Sequence, residues 1–567
     1  MSKMTTDVEN FQYHHVFNLI LDIFKFNEKK YGNYIKDTLK ILIEGQKNGE
    51  TIFDIDNSLI IFELLEDGWP NKHIEVLKDI GLIGSPNSPF LLFDRKLTLA
   101  KWSAKIDRVI NSFLKKIDAD IFINSIIYDD DNKIDQIKNI FEYSNLVFLQ
   151  GGPGTGKTTL IINLILELLG IDNFLNIGLS APTGKATARL KESLNYKKNI
   201  ESRKFLDQIE FQTLHRWILN SQNKSLKLKF KLKELDIFII DEMSMVNIDL
   251  IESVLNLLAK DCKIILVGDK NQLSPVNNCS IWNYLFEYCD NKLIKSCLVN
   301  LNKTYRNIGD VALISRLIFN NDDSCLNQKI KELEKDNKSK EVTITRSTGK
   351  NVPQNLFNSI TSHLNKLKLS TSNLSKKKYI FDDDIDNLLL NEKNLVDKIF
   401  LDLQSHLILC EKNSGIWSVE YLNEIIFGQK KPYDLKTLNE GVPIMCTKNN
   451  NELGLSNGDI GVIIGFKNKR KYLFRKFNDN NEEIVALIDP SNLENVVPAI
   501  AITIHKSQGS ESQKVNILWS QNYRRNQYVE KEKKDNQNIF CRDNFERRLF
   551  YTAITRAKKS LNIYYLN

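Results

Sequence analysis

The residues best suited to chemistry in this chain are GGPGTGKTT, positions 151–159. Gly151, Gly156, Lys157 and Thr158 fill the pattern G-x-x-x-x-G-K-[ST], a loop that turns its backbone N–H groups onto phosphate oxygens. Glycine is required there because a Cβ would block both the turn and the approach of the anion. The apolar run from Leu146 to Leu149 leads into the loop and a second, from Leu160 to Leu169, leads out. The first reads as a buried strand and the second as a helix whose positive N-terminus faces the phosphates. Gly151, Gly152, Pro153, Gly154, Thr155 and Gly156 would then cradle a nucleotide. Lys157 would neutralise its β- and γ-phosphates, and Thr158, followed by Thr159, would offer a hydroxyl to Mg²⁺.

Phosphoryl transfer needs more than a cradle. IIDEMSM (239–245) closes an apolar run with Asp241, suited to holding Mg²⁺, and Glu242, suited to polarising an attacking water. VGDKNQL (267–273) offers Gln272 as a sensor of the γ-phosphate. LNKTYRN (301–307) and ERRLFYTAITRAKKS (546–560) offer Arg306 and Arg556, positive charge for the departing phosphoryl group. For any of these residues alone, a solvated turn or a surface ion pair is the simpler reading. Their order downstream of the phosphate loop favours catalysis.

Four short runs must position these groups: VFLQ (147–150), NIGLSA (176–181), DIFIID (236–241) and CKIILVGD (262–269). Each ends in small or polar residues, as fully buried parallel strands do, and ligands bind beyond the carboxyl ends of such strands. An α/β domain over 131–295 follows, and the weaker repetition of this texture over 296–567 indicates a second. Residues 1–130 carry helical patterning without recognisable chemistry and read as a mainly helical docking domain. The segment 320–395, rich in Lys, Asn, Ser and Asp, reads as a variable insertion. From about 436 to 498 short strands and turns suggest a small β-barrel. Within it, basic residues interleave with Phe466, Tyr472 and Phe474, a composition suited either to stacking on a single nucleic-acid strand or to a solvated hairpin.

Bulk properties set the outer bounds. With 567 residues, several ordinary domains are expected. Seventy-eight basic against 71 acidic residues give a net charge of +7, which permits a nucleic-acid partner without demonstrating one. The eight cysteines form no C-x-x-C pair, which predicts reduced thiols and no zinc site. No signal-peptide core opens the sequence and no uncharged apolar stretch reaches spanning length, so a cytoplasmic protein is expected.

Taken together the motifs resemble those of the superfamily 1 DNA helicases and, more narrowly, the RecD family, the alpha subunits of exodeoxyribonuclease V (RecBCD). GGPGTGKTT is followed by APTGKATARL (181–190), TLHRW (213–217), IIDEMSM, VGDKNQL and YRN (305–307). The later set is NGDIG (457–461), TIHKSQGSE (503–511) and LFYTAITRA (549–557). The resemblance implies two RecA-like P-loop domains, a helical N-terminal domain that docks on RecC, and an SH3-like insertion. It implies an ATP site formed by Lys157, Thr158, Asp241, Glu242, Gln272, Arg306 and Arg556, with Tyr305 stacking on the adenine and Gln136 hydrogen-bonding to it. Thr183, His215, Thr503, His505 and Glu511 fall in motifs that contact single-stranded DNA or couple it to the nucleotide. A motor walking 5′→3′ on DNA ends, partnered by RecB and RecC and without a nuclease site of its own, is the implied function. A free-standing helicase of the same superfamily, a P-loop ATPase of another class and a non-catalytic subunit remain as alternatives.

Overall fold

A computed structural model describes residues 15–47, 51–55, 68–124, 132–172, 174–196, 208–222, 229–275, 280–303, 309–335, 341–377, 385–450, 452–465, 469–477, 483–520, 540 and 544–566. Two compact units divide the chain. One holds residues 1–151, 163–182 and 202–300; the other holds 152–162, 183–201 and 301–567.

In the first unit, strands β1 (Ile52–Asp54), β2 (Phe90–Phe93) and β3 (Lys96–Leu99) form a small antiparallel sheet in the order β1-β3-β2. Helical patterning did not announce it, because the strands are only three or four residues long. Helices Glu28–Lys47 and Asn71–Asp79 pack beside it around Leu39, Leu77, Phe90 and Leu97, all fully buried. Helix Ala100–Leu114 buries Trp102, Ile106, Val109 and Phe113 along one stripe. Its outer side is tied to helix Ile248–Leu257 by Lys105–Asp249 and Arg108–Glu252 ion pairs. Just beyond it, the Lys116 ammonium donates to the carbonyls of Ala259, Lys260 and Cys262 at 3.0–3.2 Å.

The main sheet of this unit comprises β4 (Leu146–Gly151), β5 (Ile177–Ala181), β6 (Ile209–Thr213), β7 (Ile237–Ile240), β8 (Lys263–Gly268) and β9 (Leu298–Leu301), in the order β6-β5-β7-β8-β4-β9. The pairs β5·β6, β5·β7, β7·β8 and β4·β8 are parallel. Every residue of β4, β5 and β7 is buried, as the unbroken apolar runs required. The α/β class with a parallel sheet is therefore the observed fold.

The second unit contains β10 (Val342–Ser347), β11 (His406–Cys410), β17 (Ile502–Thr503), β18 (Ser512–Trp519) and β19 (Ala557–Leu566). These join as a wholly parallel sheet in the order β10-β19-β18-β11-β17. Strands β12 (Pro443–Cys446), β13 (Ile460–Ile464), β14 (Lys471–Phe477), β15 (Glu483–Ile488) and β16 (Val496–Pro498) form an antiparallel sheet in the order β15-β14-β13-β12-β16. Among the described residues its end strands, β15 and β16, each pair with a single neighbour.

Two details differ from the reading of composition. Segment 320–395 contains packed structure: helices Asp323–Lys335 and Gln354–Ser375 bury Leu326, Ile330 and Leu333, and Leu356, Ile360, Leu367 and Leu374. Ser370 and Thr371 of the second helix are buried beside these apolar residues. The stacking role suggested for Tyr472 and Phe474 is overturned. They are 2% and 0% exposed, in the core of the antiparallel sheet with Ile444, Ile463 and Ile488. Leu473 is buried on the opposite face against Leu374, Val396 and Phe400, so β14 is covered on both sides. Arg475 pairs with Asp397 and lies 4.5 Å from the Phe400 ring centroid. Phe466 lies outside the described residues.

At the carboxyl end of β11, buried Glu411 accepts hydrogen bonds from the Ser520 N–H at 2.9 Å and the Ser520 hydroxyl at 3.0 Å. Burial, reinforced by the charge of Glu546, pushes this carboxyl up to about 8. Folding therefore takes up a proton. The folded state loses stability as pH rises from the ordinary glutamate range towards 8. Glu411→Gln removes that dependence, so melting curves of the variant and wild type should coincide most closely near pH 4.5 and diverge in favour of the variant by pH 9. A difference independent of pH would contradict the assignment.

Candidate nucleotide site

The phosphate loop emerges directly from β4. Gly154 and Gly156 adopt φ of +74° and +85°, a backbone conformation open to glycine and strained for other residues. The Thr155 hydroxyl donates to the Gly152 carbonyl at 2.8 Å, and the Lys157 ammonium donates to the same oxygen at 3.1 Å. Helix Lys157–Ile171 starts at the loop's end, and its first-turn N–H groups are the ones a phosphate can use. Thr158 is half-buried and Thr159 exposed in that first turn.

Because β4, β8 and β7 are consecutive parallel neighbours, their carboxyl ends share one edge of the sheet. Asp241 follows β7. It is 9% exposed, its N–H donates to the Ser180 carbonyl at 2.8 Å, and its Oδ1 accepts from the Glu242 N–H at 2.8 Å. Glu242 stands at φ +56°, ψ +43°, a left-handed conformation costing about 1 kcal/mol or more for a residue with a side chain. The strain sits at the residue that sequence order singles out as the base.

Beyond β8, buried Asp269 organises the next turn: its Oδ1 accepts from the Asn271 N–H at 3.0 Å and its carbonyl from the Gln272 N–H at 3.2 Å. Gln150, near the tip of β4, accepts from the Lys270 N–H at 3.0 Å. Three buried side-chain atoms along this edge lack a hydrogen-bond partner among the described residues: Gln150 Nε2, Asn271 Nδ2 and Gln272 Oε1. Leaving such atoms unpaired costs about 1–3 kcal/mol each, and they suit a polar ligand. Gln150 and Asn271 carried no motif signal strong enough to single them out.

Gln136 lies on helix Lys133–Ile140 and accepts from the Lys133 ammonium at 3.1 Å. Tyr305 and Arg306 lie outside the described residues. Thr183 caps helix Gly184–Tyr196, its hydroxyl accepting from the Ala186 N–H at 3.2 Å. His215 is exposed on helix Leu214–Gln222, while the neighbouring Trp217 is fully buried.

In the second unit Arg556 is 3% exposed. Its guanidinium donates to the carbonyls of Thr552 and Ser510 at 3.0 and 3.3 Å and to the Thr555 hydroxyl at 3.2 Å, bonds that fix its direction. Thr503 is buried at the end of β17. The His505 ring stacks on Phe545 at 6.1 Å, and burial lowers its pKa. Sequence reasoning passed over Lys185, whose ammonium donates to the Ser510 hydroxyl at 2.7 Å. Solvent reaches this side chain, yet protein crowds the ammonium. That crowding, with the like charges of Arg189 and Arg556 and against the pull of Asp459, lowers its pKa to about 8.

A cavity of 540 Å³ lies within this unit, lined by Gly152, Pro153 and Thr155 of the phosphate loop together with Tyr551, Thr555 and Glu511. Its volume is that of a small-ligand site. Glu511, grouped by its motif with residues contacting DNA or coupling it to the nucleotide, thus shares a wall with the phosphate loop, 3.3 Å from the Lys558 ammonium.

Comparison with known proteins finds a family model, curated relatives and solved structures similar to this chain. A family model described as an AAA domain matches residues 136–278, the stretch from Gln136 to just past Gln272. The chain is 29% identical over 526 residues to the RecBCD enzyme subunit RecD of Buchnera aphidicola subsp. Schizaphis graminum, covering 85% of this chain and 82% of the relative. It is 28% identical to the subunit of the same name from Buchnera aphidicola subsp. Acyrthosiphon pisum, covering 89% and 85%. Among solved structures it is similar to Bacteroides Pif1 bound to ssDNA, at 17% identity and a TM-score of 0.38, covering 77% of this chain and 92% of that one. With its motifs in family order and its matches running through more than four fifths of both chains, this chain is similar to RecD subunits along most of its length.

Proposed function

We propose that the chain is an ATP-dependent DNA helicase, the 5′→3′ motor subunit of a RecBCD-type assembly with RecB and RecC. It would act in the cytoplasm on DNA ends in break repair, recombination and degradation of linear DNA, with nuclease chemistry residing in a partner. The observation that carries this reading is the shared edge of β4, β7 and β8. It carries a buried Asp241, a strained Glu242 and an unpaired Gln272 oxygen, and β4 continues in sequence into the glycine-shaped phosphate loop.

The donor set fits Mg²⁺, since the Thr158 hydroxyl and the Asp241 carboxylate are hard oxygen ligands. When bound, the ion supplies positive charge to the β- and γ-phosphates. The chain's residues do the rest. Backbone N–H groups of 154–158 orient the phosphates and Lys157 exchanges the Gly152 carbonyl for a phosphate oxygen. Glu242 accepts the proton of the attacking water, Gln272 reports the γ-phosphate, and Arg306 and Arg556 stabilise charge on the departing group. Tyr305 and Gln136 hold the base. Thr183, His215, Thr503 and His505 contact the strand whose grip alternates with the state of the nucleotide, and Glu511 links them to the ATP cavity. The antiparallel sheet over 443–498 corresponds to the family's SH3-like element, and the N-terminal region docks on RecC.

ATP hydrolysis by the purified chain should be stimulated by single-stranded DNA. Glu242→Gln and Lys157→Gln should each lower kcat by about 10²–10⁴-fold, Glu242→Gln with nucleotide binding retained. Hydrolysis indifferent to DNA would point to another class of P-loop ATPase. On tailed duplexes, unwinding should require a 5′ tail; a 3′ requirement would refute the polarity. Purification from the native cell should bring down two larger subunits. Isolation of an active single chain would favour a free-standing helicase.

A further inference from the structure

Helix Asp310–Phe319 has two distinct faces. Val311, Ile314 and Ile318 are buried, which fixes the helix in the second unit's core. Ala312, Ser315, Arg316 and Phe319 follow the spacing i, i+3, i+4, i+7, and all four line the 540 Å³ cavity that Gly152, Pro153 and Thr155 also line. The stripe is therefore a wall of the candidate ATP cavity. No motif marks it, and none of its residues entered the reading of the sequence.

The composition of that wall suits a nucleotide. Ala312 and Ser315 are small and leave room, and Phe319 presents an aromatic surface. Arg316 is exposed, and its guanidinium has no hydrogen-bond or ion-pair partner among the described residues. Lys558, another cation on the wall, is by contrast engaged with Glu511 at 3.3 Å. A guanidinium matches the paired oxygens of a phosphate by donating two N–H groups at once, and an unengaged one need not break an ion pair to do so. The helix is also held from outside. Asp310 pairs with Lys329 at 2.9 Å, and the Asp310 N–H donates to Glu341 at 3.0 Å, so the stripe is presented on a fixed element.

We propose that Arg316 is a nucleotide-binding residue, donating to the phosphate groups of a nucleoside triphosphate held in the cavity that Ala312, Ser315 and Phe319 also line. This deepens the ATPase reading and rests on it. Arg316 contributes binding in ground and transition states alike, so its loss acts on KM and Kd rather than on kcat.

The test measures ATP binding by calorimetry and steady-state hydrolysis in the full chain, for wild type, Arg316→Ala, Arg316→Lys, Phe319→Ala and, off the stripe, Leu313→Ala. Arg316→Ala should raise both Kd and KM for ATP by about ten- to a hundredfold, with kcat at saturation within about threefold. Arg316→Lys should fall between Arg316→Ala and wild type, Phe319→Ala should weaken binding, and Leu313→Ala should behave as wild type. Unchanged Kd and KM in Arg316→Ala, with an active wild type, overturn the inference and leave the ATPase reading standing. An equal loss in Leu313→Ala also overturns it, since the effect would then be general disruption of the helix. A wild type that neither binds nor hydrolyses ATP overturns both.

Discussion

The parallel hydrogen bonding of β4 to β8 and of β8 to β7 is the constraint from which the candidate site follows. Parallel strands leave their neighbours' carboxyl ends at one edge, so residues nearly a hundred positions apart in sequence become neighbours without any interaction of their own. Gly151 ends one strand of that set, Asp241 follows a second and Asp269 follows a third. The sheet must be buried on both faces for such an arrangement to hold, and the continuous apolar runs of β4 and β7 provide the burial. At Gly268 the packing is so close that a Cβ would meet the Trp282 indole at 2.6 Å, and the strand can change little there without moving its tip.

At this edge several groups are arranged at a cost to stability. A left-handed Glu242 and unpaired polar atoms on Gln150, Asn271 and Gln272 all oppose folding. They persist because the surrounding strands over-determine the local backbone. Such groups make sense where a charged ligand completes their bonds, and their concentration on the edge that carries Asp241 links fold to chemistry. In the second unit burial raises the pKa of Glu411, a carboxyl at a strand tip.

The second unit uses its own parallel sheet in a different way. Arg556 sits between helix Asn544–Ile554 and β19, and its guanidinium is tethered to three oxygens. Bonds of that kind fix the direction of a buried charge. The antiparallel sheet in this unit has another character. Both faces of β14 are covered, and its basic residues pair with neighbouring elements, as Arg475 does with Asp397.

Much of this was written in the sequence. The loop had to be rich in glycine, the apolar run from Leu160 to Leu169 had to be helical, and Asp241 had to follow a buried strand, because apolar runs and glycine spacing are local signals that tertiary context did not override. The order of the motifs was enough to indicate the family. Other features depend on distance in space, which spacing in sequence does not encode. Alternation of basic and aromatic residues could not tell whether Tyr472 and Phe474 face solvent or core, since a strand covered on both faces reads like an exposed hairpin until its neighbours are in place. The polar composition of 320–395 concealed two amphipathic helices, and the wall that Ala312, Ser315, Arg316 and Phe319 give to the cavity exists only once the helix is docked. Local chemistry was fixed by residue type and order; which groups share a surface was decided by packing, because only folding brings remote side chains within reach of one another.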